Sequence, residues 1–154
     1  GENYLPDTAH SFLNDLSDRC LIEVVSKDSV GRNETVKIHD VLRDLAIRVA
    51  ENENRCYFKQ AGRGVSNFPS EEVVGEGCDK LSLMYNNLPS LPTTFACSSL
   101  SVLLLTGNHG IKEVPGSFLN ELPSLRVLDL SYTGIKSLPP CIGNLKHLAS
   151  LQLK

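Results

Sequence analysis

The chain has 154 residues, of which 41% are hydrophobic and 21% are charged, so it holds enough apolar residues for a packed core and is not a disordered polypeptide. A net charge of −3 argues against nucleic-acid binding by simple charge attraction. No apolar run approaches the roughly 18 residues of a membrane span, and the first residues lack the basic and apolar regions of a signal peptide. A length of 154 residues fits one ordinary domain or two small ones.

Cysteine usage favours a reducing compartment. The five cysteines stand at irregular spacing and none belongs to a Cys-x-x-Cys pair; they are Cys20, Cys56, Cys78, Cys97 and Cys141. An odd number without such pairs predicts neither a disulfide framework nor a zinc site. We therefore expect buried, reduced thiols, no metal and a cytoplasmic location.

Charge divides the chain into two halves. Residues 1–79 contain nine Lys or Arg and fifteen Asp or Glu, whereas residues 80–154 contain six and three, so the two halves carry −6 and +3. This shift predicts a boundary near residue 79. With the elements described next, it divides the chain into an α+β subdomain over 1–55, a linker or capping segment over 56–77 and a repeat region over 78–154.

The first elements predict a helix followed by a β-hairpin. Asp7 and Thr8 provide a helix start, and an apolar stripe follows at helical spacing, made of Phe12, Leu13, Leu16 and Cys20. Residues 21–25 are rich in β-branched side chains and predict a strand. The polar stretch 27–34, which contains a glycine, predicts a turn, and residues 35–38 predict the return strand.

A second helix is predicted from residue 41 to about residue 51, with Asp40 as its cap. Its apolar residues recur at i, i+3, i+4 and i+7, which predicts one buried face made of Leu42, Leu45, Ala46 and Val49. Helix, hairpin and helix together form an α+β module of winged-helix type. Because Arg43 and Arg48 alternate with acidic residues on this helix, DNA binding is not favoured.

The sequence from Lys37 to Ala46, Lys-Ile-His-Asp-Val-Leu-Arg-Asp-Leu-Ala, resembles the closing motif of the nucleotide-binding (NB-ARC) module of plant intracellular immune receptors. That motif is usually Met-His-Asp followed by Leu-x-Arg-Asp-Leu-Ala, so Ile38 replaces a common methionine. The sequence from Phe12 to Ile22 resembles the helix and strand that precede it. Leucine-rich repeats follow the motif in this family, and the resemblance to a coiled-coil-type receptor therefore extends over residues 8–154.

The resemblance implies roles for His39 and Asp40 in binding ADP or ATP in the intact receptor. It implies that His39 contacts the phosphate of bound ADP and helps to keep the receptor inactive, while Asp40 supports the local turn. A helix start favours nearby anions, which is compatible with this role. From the residues alone, a histidine at a strand-to-helix junction is the better interpretation of His39, and a helix cap at Asp40 is compatible with the role that the resemblance implies. The chain lacks a Gly-x-x-x-x-Gly-Lys-Ser/Thr loop, so we expect no ADP binding by this stretch alone and no enzyme activity.

The segment 56–77 is predicted to be mainly a solvated connector with a capping strand. Tyr57 and Phe58 favour a short strand edge, and several glycines and a proline interrupt any longer element. Glu71, Glu72 and Glu76 form an acidic patch.

The second half carries one pattern four times, apolar-x-x-Leu-x-Leu. The repeats start at Cys78, Leu100, Leu125 and Leu148, which gives spacings of 22, 25 and 23 residues. This period is typical of leucine-rich repeats and predicts an α/β solenoid in which each repeat contributes a short strand. The second repeat has one extra residue near His109 and Gly110, which predicts a bulge.

The leucine pairs of each repeat are expected to point into the core. Asn86, Asn108 and Thr133 follow the strands, and their side chains are expected to bond backbone groups between coils, Thr133 only partly. Apolar pairs on the opposite, convex side precede prolines 92, 115 and 139. The pairs are Leu88 with Leu91, Ile111 with Val114 and Ile135 with Leu138.

Because side chains alternate along a strand, the residues between the leucines are predicted to form three columns on the concave surface. The first holds Lys80, Val102, Val127 and Ser150; the second Ser82, Leu104, Asp129 and Gln152; the third Met84, Thr106, Ser131 and Lys154. We expect this face to meet a protein effector or a guarded host protein, or to contact the nucleotide-binding module within the same receptor, which we favour. Neither nucleic acid nor a membrane span is expected.

We favour part of a defence receptor, and three alternatives are weighed against it. The first is a leucine-rich-repeat scaffold without nucleotide control. The second is an extracellular repeat receptor, since Asn33-Glu34-Thr35 is a glycosylation acceptor sequence, but the missing signal peptide and the unpaired cysteines argue against it. The third is an enzyme, for which the sequence offers no catalytic cluster. The pattern stops inside the fourth repeat without a polar cap, so we expect a fragment of a longer protein that associates through its apolar end.

Overall fold

The computed structural model describes residues 4–52, 56–57, 62–75 and 77–154. The chain forms two compact units that divide between Arg48 and Val49. None of the helices within the described ranges has the length and apolar character that a bilayer crossing requires.

The first unit consists of a helix, a β-hairpin and the start of a second helix. Helix α1 spans Tyr4–Asp18, strands β1 and β2 span Ile22–Lys27 and Asn33–Ile38, and α2 spans Asp40–Asn52. The two strands pair antiparallel with Ile22 opposite Ile38, and the register is irregular around Ser26. The element order is the one that the sequence predicts, with α1 starting earlier and both strands extending further into the turn.

Asp28 organises the hairpin turn. Its Oδ1 accepts hydrogen bonds from the backbone N–H groups of Val30 and Arg32, at 3.0 and 2.8 Å, and its Oδ2 accepts one from Nε of Arg32 at 3.0 Å. The Arg32 backbone N–H is the largest influence on the carboxylate and lowers the pKa of Asp28, with help from the Arg32 side chain and the Val30 N–H. This is an Asx-type turn, in which an aspartate replaces backbone partners.

The predicted buried face of α2 is wrong in this unit. Leu45 is 57% exposed and Ala46 is also exposed, while Leu42 is half-buried. The hairpin packs against α1, and a two-stranded sheet is too narrow to cover the apolar stripes of two helices. The stripe on α1 is likewise incompletely covered, since Phe12 and Cys20 are exposed.

The second unit is built on a parallel sheet with one short strand per coil, where a coil is one repeat of the chain. Its strand order is β3-β4-β5-β6-β7, so consecutive strands are always neighbours. The strands span Cys56–Tyr57, Lys80–Ser82, Val102–Leu104, Val127–Asp129 and Ser150–Gln152. In register, Leu81 lies beside Leu103, Leu103 beside Leu128, and Leu128 beside Leu151.

The core of this unit lies between the sheet and the returning segments of each coil. The strand leucines from Leu81 to Leu130 are buried, as are the predicted partners Leu88 and Ile111 on the return side. Short helices form part of that side: α4 spans Gly116–Asn120, and a 3₁₀ helix spans Pro140–Asn144. Three phenylalanines, Phe68, Phe95 and Phe118, pack together there, with ring centroids 5.0 to 6.2 Å apart.

The segment 56–77, which was expected to be a solvated connector with a capping strand, supplies such a strand and also contributes to this core. Strand β3 pairs with β4, Val65 and Phe68 pack against the core, and Val74 of the short helix α3, Glu71–Val74, is buried. Glu71 accepts a hydrogen bond from the backbone N–H of Ala96 in the following coil. The described part of 56–77 is thus a further coil of the array. Of the predicted acidic patch, Glu71 and Glu72 are exposed, and Glu76 lies outside the described residues.

Candidate functional site

His39 and Asp40 lie where strand β2 passes into helix α2, which is the junction that the sequence predicts. The backbone carbonyl of His39 accepts the first helical hydrogen bond, from the N–H of Arg43 at 2.9 Å, so His39 occupies the cap position. Asp40 is already the first helical residue, and its carboxylate lies 3.7 Å from Nη1 of Arg43. The cap is therefore His39, one residue before Asp40, which was the predicted cap.

The imidazole of His39 is exposed and borders a shallow depression of about 370 Å³. The other lining residues come from the end of α1 and from β1; they are Ser17, Cys20, Ile22, Glu23 and Val24. Cys20 has a left-handed backbone (φ 55°) where the chain leaves α1, and its thiol is exposed rather than buried as expected. The first unit thus presents a histidine beside a helix N-terminus, where an anion is favoured.

The side chains predicted to share columns do share them. Strand pairing places Lys80, Val102, Val127 and Ser150 side by side, and likewise Ser82, Leu104, Asp129 and Gln152. The alignment continues into the third column, where each coil bonds the next through the backbone. The N–H groups of Tyr85, Gly107 and Tyr132 donate to the backbone carbonyls of Thr106, Ser131 and Lys154, respectively. We call these twelve residues the strand face.

The strand face combines buried hydroxyl residues with half-buried aliphatic residues. The hydroxyl residues Ser82, Thr106 and Ser131 are buried, whereas Val102, Leu104 and Val127 are half-buried. At one edge, Nζ of Lys80 lies 2.8 Å from the carboxylate of Asp79. Small, covered hydroxyls between partly accessible aliphatic side chains make this a surface for a protein rather than a deep pocket for a small molecule.

Asp129 is the one carboxylate among the twelve residues of the strand face. Its Oδ1 accepts the backbone N–H of Ser131 at 2.9 Å. Burial raises the pKa of Asp129, but the N–H and hydroxyl of Ser131, the Thr106 hydroxyl and the charge of Lys154 outweigh burial, and the pKa is lowered overall. The carboxylate is therefore charged at neutral pH.

Two exposed tyrosines at the strand ends were missed by sequence reasoning. Tyr85 and Tyr132 are 61% and 54% exposed and have left-handed backbones, with φ of 53° and 54°. Gly107 is the equivalent residue of the intervening coil (φ 78°), and the ring of Tyr85 occupies the space that a side chain there would need. A left-handed backbone is unusual for tyrosine. Both tyrosines stand two residues after a Leu-x-Leu pair, and this shared position was the signal in the sequence that could have pointed to them.

The predicted asparagine ladder is confirmed. Nδ2 of Asn108 donates to the carbonyls of Leu83 and Leu105, both at 2.8 Å, and its Oδ1 accepts the N–H of Leu88 at 3.3 Å. Oδ1 of Asn86 accepts the N–H groups of residues 63 and 65. The Thr133 hydroxyl donates to the carbonyl of Leu130 at 2.7 Å within its own coil, so this bond does not extend the ladder to a neighbouring coil.

The glycosylation acceptor Asn33 is not available for modification. Its side chain is only 8% exposed, and its Nδ2, the atom to which a glycan attaches, donates to Oδ1 of Asn14 at 2.9 Å. This removes the sequence feature that favoured an extracellular receptor. Of the cysteines, Cys78 and Cys97 are buried as expected and Cys141 is half-buried, and within the described residues none of these three or Cys20 forms a disulfide. The Cys56 side chain lies outside the described residues.

The one-strand-per-coil parallel sheet, the asparagine ladder and the leucine core define a leucine-rich-repeat protein, and the leucine rich repeat family matches residues 98–154. Over most of its length the chain is also similar to disease resistance proteins of Arabidopsis thaliana. A probable disease resistance protein is 42% identical over 142 residues, and a second is 40% identical over 130 residues. These alignments cover 90% and 82% of this chain. A third, putative one is 29% identical over 182 residues, covering all of the chain.

The predicted resemblance to a plant leucine-rich-repeat disease resistance protein is therefore confirmed. The chain spans only 15%, 13% and 20% of the length of these three relatives. What the structure contributes is the local arrangement: an exposed histidine junction in one unit and a polar and aliphatic strand face in the other.

Proposed function

We propose that this chain is the part of a plant defence receptor in which a nucleotide-controlled switch precedes the recognition repeats. In the intact receptor, His39 contacts a phosphate of bound ADP, and Asp40 with Arg43 holds the helix start that orients it. The observation that carries this proposal is the placement of an exposed imidazole at the cap of α2. A helix N-terminus and a nitrogen donor both favour a phosphate oxygen.

The nucleotide itself is held mainly by other parts of the receptor. The chain contains no glycine-rich phosphate loop, so backbone amides cannot cradle the phosphates here. His39 then senses whether ADP or ATP is bound, and it performs no chemistry. The fragment is consequently a regulatory element rather than an enzyme.

The strand face supplies the protein contact of the switch. Its first coils hold the nucleotide-binding module in the inactive state, and the array as a whole meets an effector or a guarded host protein inside the cell. The half-buried aliphatic residues of the face, Val102, Leu104 and Val127, support a protein contact. A leucine-rich-repeat scaffold without nucleotide control is the alternative, and it predicts no role for His39.

The test uses the full-length receptor expressed transiently in leaves, with cell death measured as ion leakage. His39→Ala should cause leakage without any pathogen, because the inactive state loses its phosphate contact. His109→Ala removes an exposed histidine of the repeat unit and is the matched control. If His39→Ala at equal protein level is as silent as wild type and His109→Ala, the scaffold is the better account.

A further inference from the structure

Asp129 lies in the middle of the strand face, between Leu104 and Gln152 of the neighbouring strands. Among the described side chains, the ion pairs within 4.0 Å do not include its carboxylate. Lys154 influences the carboxylate only from a greater distance. Of the two lysines of the same face, Lys80 is paired with Asp79, and Lys154 is the one whose charge reaches Asp129.

We propose that Asp129 anchors an arginine or lysine side chain of a protein partner that binds along the strand face. This inference rests on the proposed function, in which this face meets a protein. It adds the chemistry of the partner: a basic side chain at the centre of the contact, with aliphatic or aromatic groups around it.

The anchor is held in place before any partner binds. The 2.9 Å bond from the Ser131 backbone N–H fixes Oδ1, and the buried hydroxyls of Thr106 and Ser131 surround the carboxylate. The Thr106 hydroxyl helps to lower the pKa of Asp129, although it makes no hydrogen bond of ordinary geometry with a described atom. A fixed, ionised acceptor loses little entropy when a cation arrives, which favours binding.

The surroundings fit a long basic side chain better than a metal ion or a phosphate. Leu104 is the strand neighbour of Asp129, and Val127 lies two residues before it, so aliphatic carbon borders the carboxylate. Lysine and arginine lay their methylene stems along such carbon while the charged end meets an acceptor. A phosphate would be repelled, and the described residues include no group of three or more His, Cys, Asp or Glu side chains that could hold a metal ion.

The exposed tyrosines extend the same contact. Tyr85 and Tyr132 lie at the strand ends that border the third column, and each residue is more than half exposed. Aromatic faces attract cations and are frequent in the energetic centres of protein interfaces. A partner segment that places its basic residue at Asp129 therefore also finds aromatic contacts along its length.

The experiment measures the binding of pooled dodecapeptides to the immobilised full-length receptor. The pools differ only in one fixed central residue, which is Arg, Lys, Gln or Glu. Wild type should retain the Arg and Lys pools about fivefold more than the Gln pool, the ratio that about 1 kcal/mol of ion pairing gives. Asp129→Asn keeps the size of the side chain and should abolish this preference, and Asp129→Lys should shift it to the Glu pool.

Glu121→Gln removes an exposed carboxylate outside the strand face and should leave the preference intact. Equal retention of all pools by wild type, or an unchanged preference in Asp129→Asn, would overturn the proposal. Because Asp129→Asn is nearly isosteric, its result stands even if Asp129→Lys does not fold. Asp129 lies in the third repeat, outside the first coils that the proposed function assigns to the nucleotide-binding module, so a silent His39→Ala receptor would refute the switch and leave this inference testable.

Discussion

The side chain of Asn108 donates from Nδ2 to the backbone carbonyl of Leu83 in the preceding coil at 2.8 Å. Oδ1 of the same side chain accepts the backbone N–H of Leu88 at 3.3 Å. The residue is fully buried, so backbone groups that lose it have no water to replace it. Asn108→Ala should therefore lower the free energy of unfolding by at least about 3 kcal/mol, since each orphaned buried group costs about 1–3 kcal/mol. Urea unfolding followed by circular dichroism gives the value.

The matched control for that change is Asn87→Ala. Asn87 is exposed and adjacent to the ladder residue Asn86, and within the described part of the chain its backbone N–H, not its side chain, is bonded, to Val65 at 3.0 Å. Its replacement should change the free energy of unfolding by less than about 0.5 kcal/mol. Similar losses in both variants would contradict the ladder as the source of stability.

Gly110 packs against the backbone of the preceding coil. A Cβ at this position would overlap the carbonyl oxygen of Leu88 and lie 3.0 Å from Cα of Pro89. The extra residue of the second repeat is thus accommodated by close backbone contact, with His109 exposed beside it. Gly110→Ala should destabilise the repeat unit by about 1–3 kcal/mol through overpacking, which thermal unfolding measures.

Gly143 offers the control for this second change. It lies in the 3₁₀ helix, and a Cβ there meets no atom within 4 Å. Gly143→Ala should leave the melting temperature within a few degrees of wild type or raise it slightly. A larger loss at Gly143 than at Gly110 would show that close approach to Leu88 is not the constraint.

The lowered pKa of Asp129 predicts a pH dependence. Because its folded-state pKa lies below the unfolded value of about 3.9, its contribution to stability is present above that value and is lost as the pH falls through the folded-state pKa. Wild type should therefore lose stability more steeply below pH about 4 than Asp129→Asn does. Urea midpoints between pH 5 and about 2 make the comparison. Parallel curves would contradict the assigned shift.

The absence of a phosphate loop predicts that these 154 residues alone do not bind ADP appreciably. Calorimetric titration of ADP into the chain should give no more heat than dilution. The same titration into the full-length receptor is the positive comparison. Micromolar binding by the chain alone would mean that His39 and its neighbours form a nucleotide site by themselves.

The repeat unit was largely predictable, because a fixed leucine spacing and the alternation of a strand leave little freedom in register. The columns that contain Val102 and Asp129 follow directly from these two rules. The three-phenylalanine cluster was not predictable, since Phe68 belongs to a segment without the repeat pattern and reaches Phe95 only through the coil geometry. The left-handed tyrosines were missed because backbone conformation at a turn is not encoded by hydrophobic period.

The first unit was less predictable than the repeat unit. Its element order follows from the sequence, and Asp28 with Gly31 (φ 82°) makes the turn. The burial of α2 did not follow, because helical periodicity identifies an apolar face without showing whether a surface exists to cover it. Leu45 is the clear example, with an apolar side chain at the predicted core position and most of its surface exposed.

The most direct test of the nucleotide switch is the rate at which ADP leaves the purified full-length receptor. If His39 contacts a phosphate, His39→Ala should release ADP about tenfold faster or more than wild type, because a hydrogen bond to a charged group contributes about 1.5–3 kcal/mol. His109→Ala should release it at the wild-type rate. An unchanged rate of ADP release in His39→Ala would contradict the proposed contact between His39 and the phosphate, and with it the nucleotide switch.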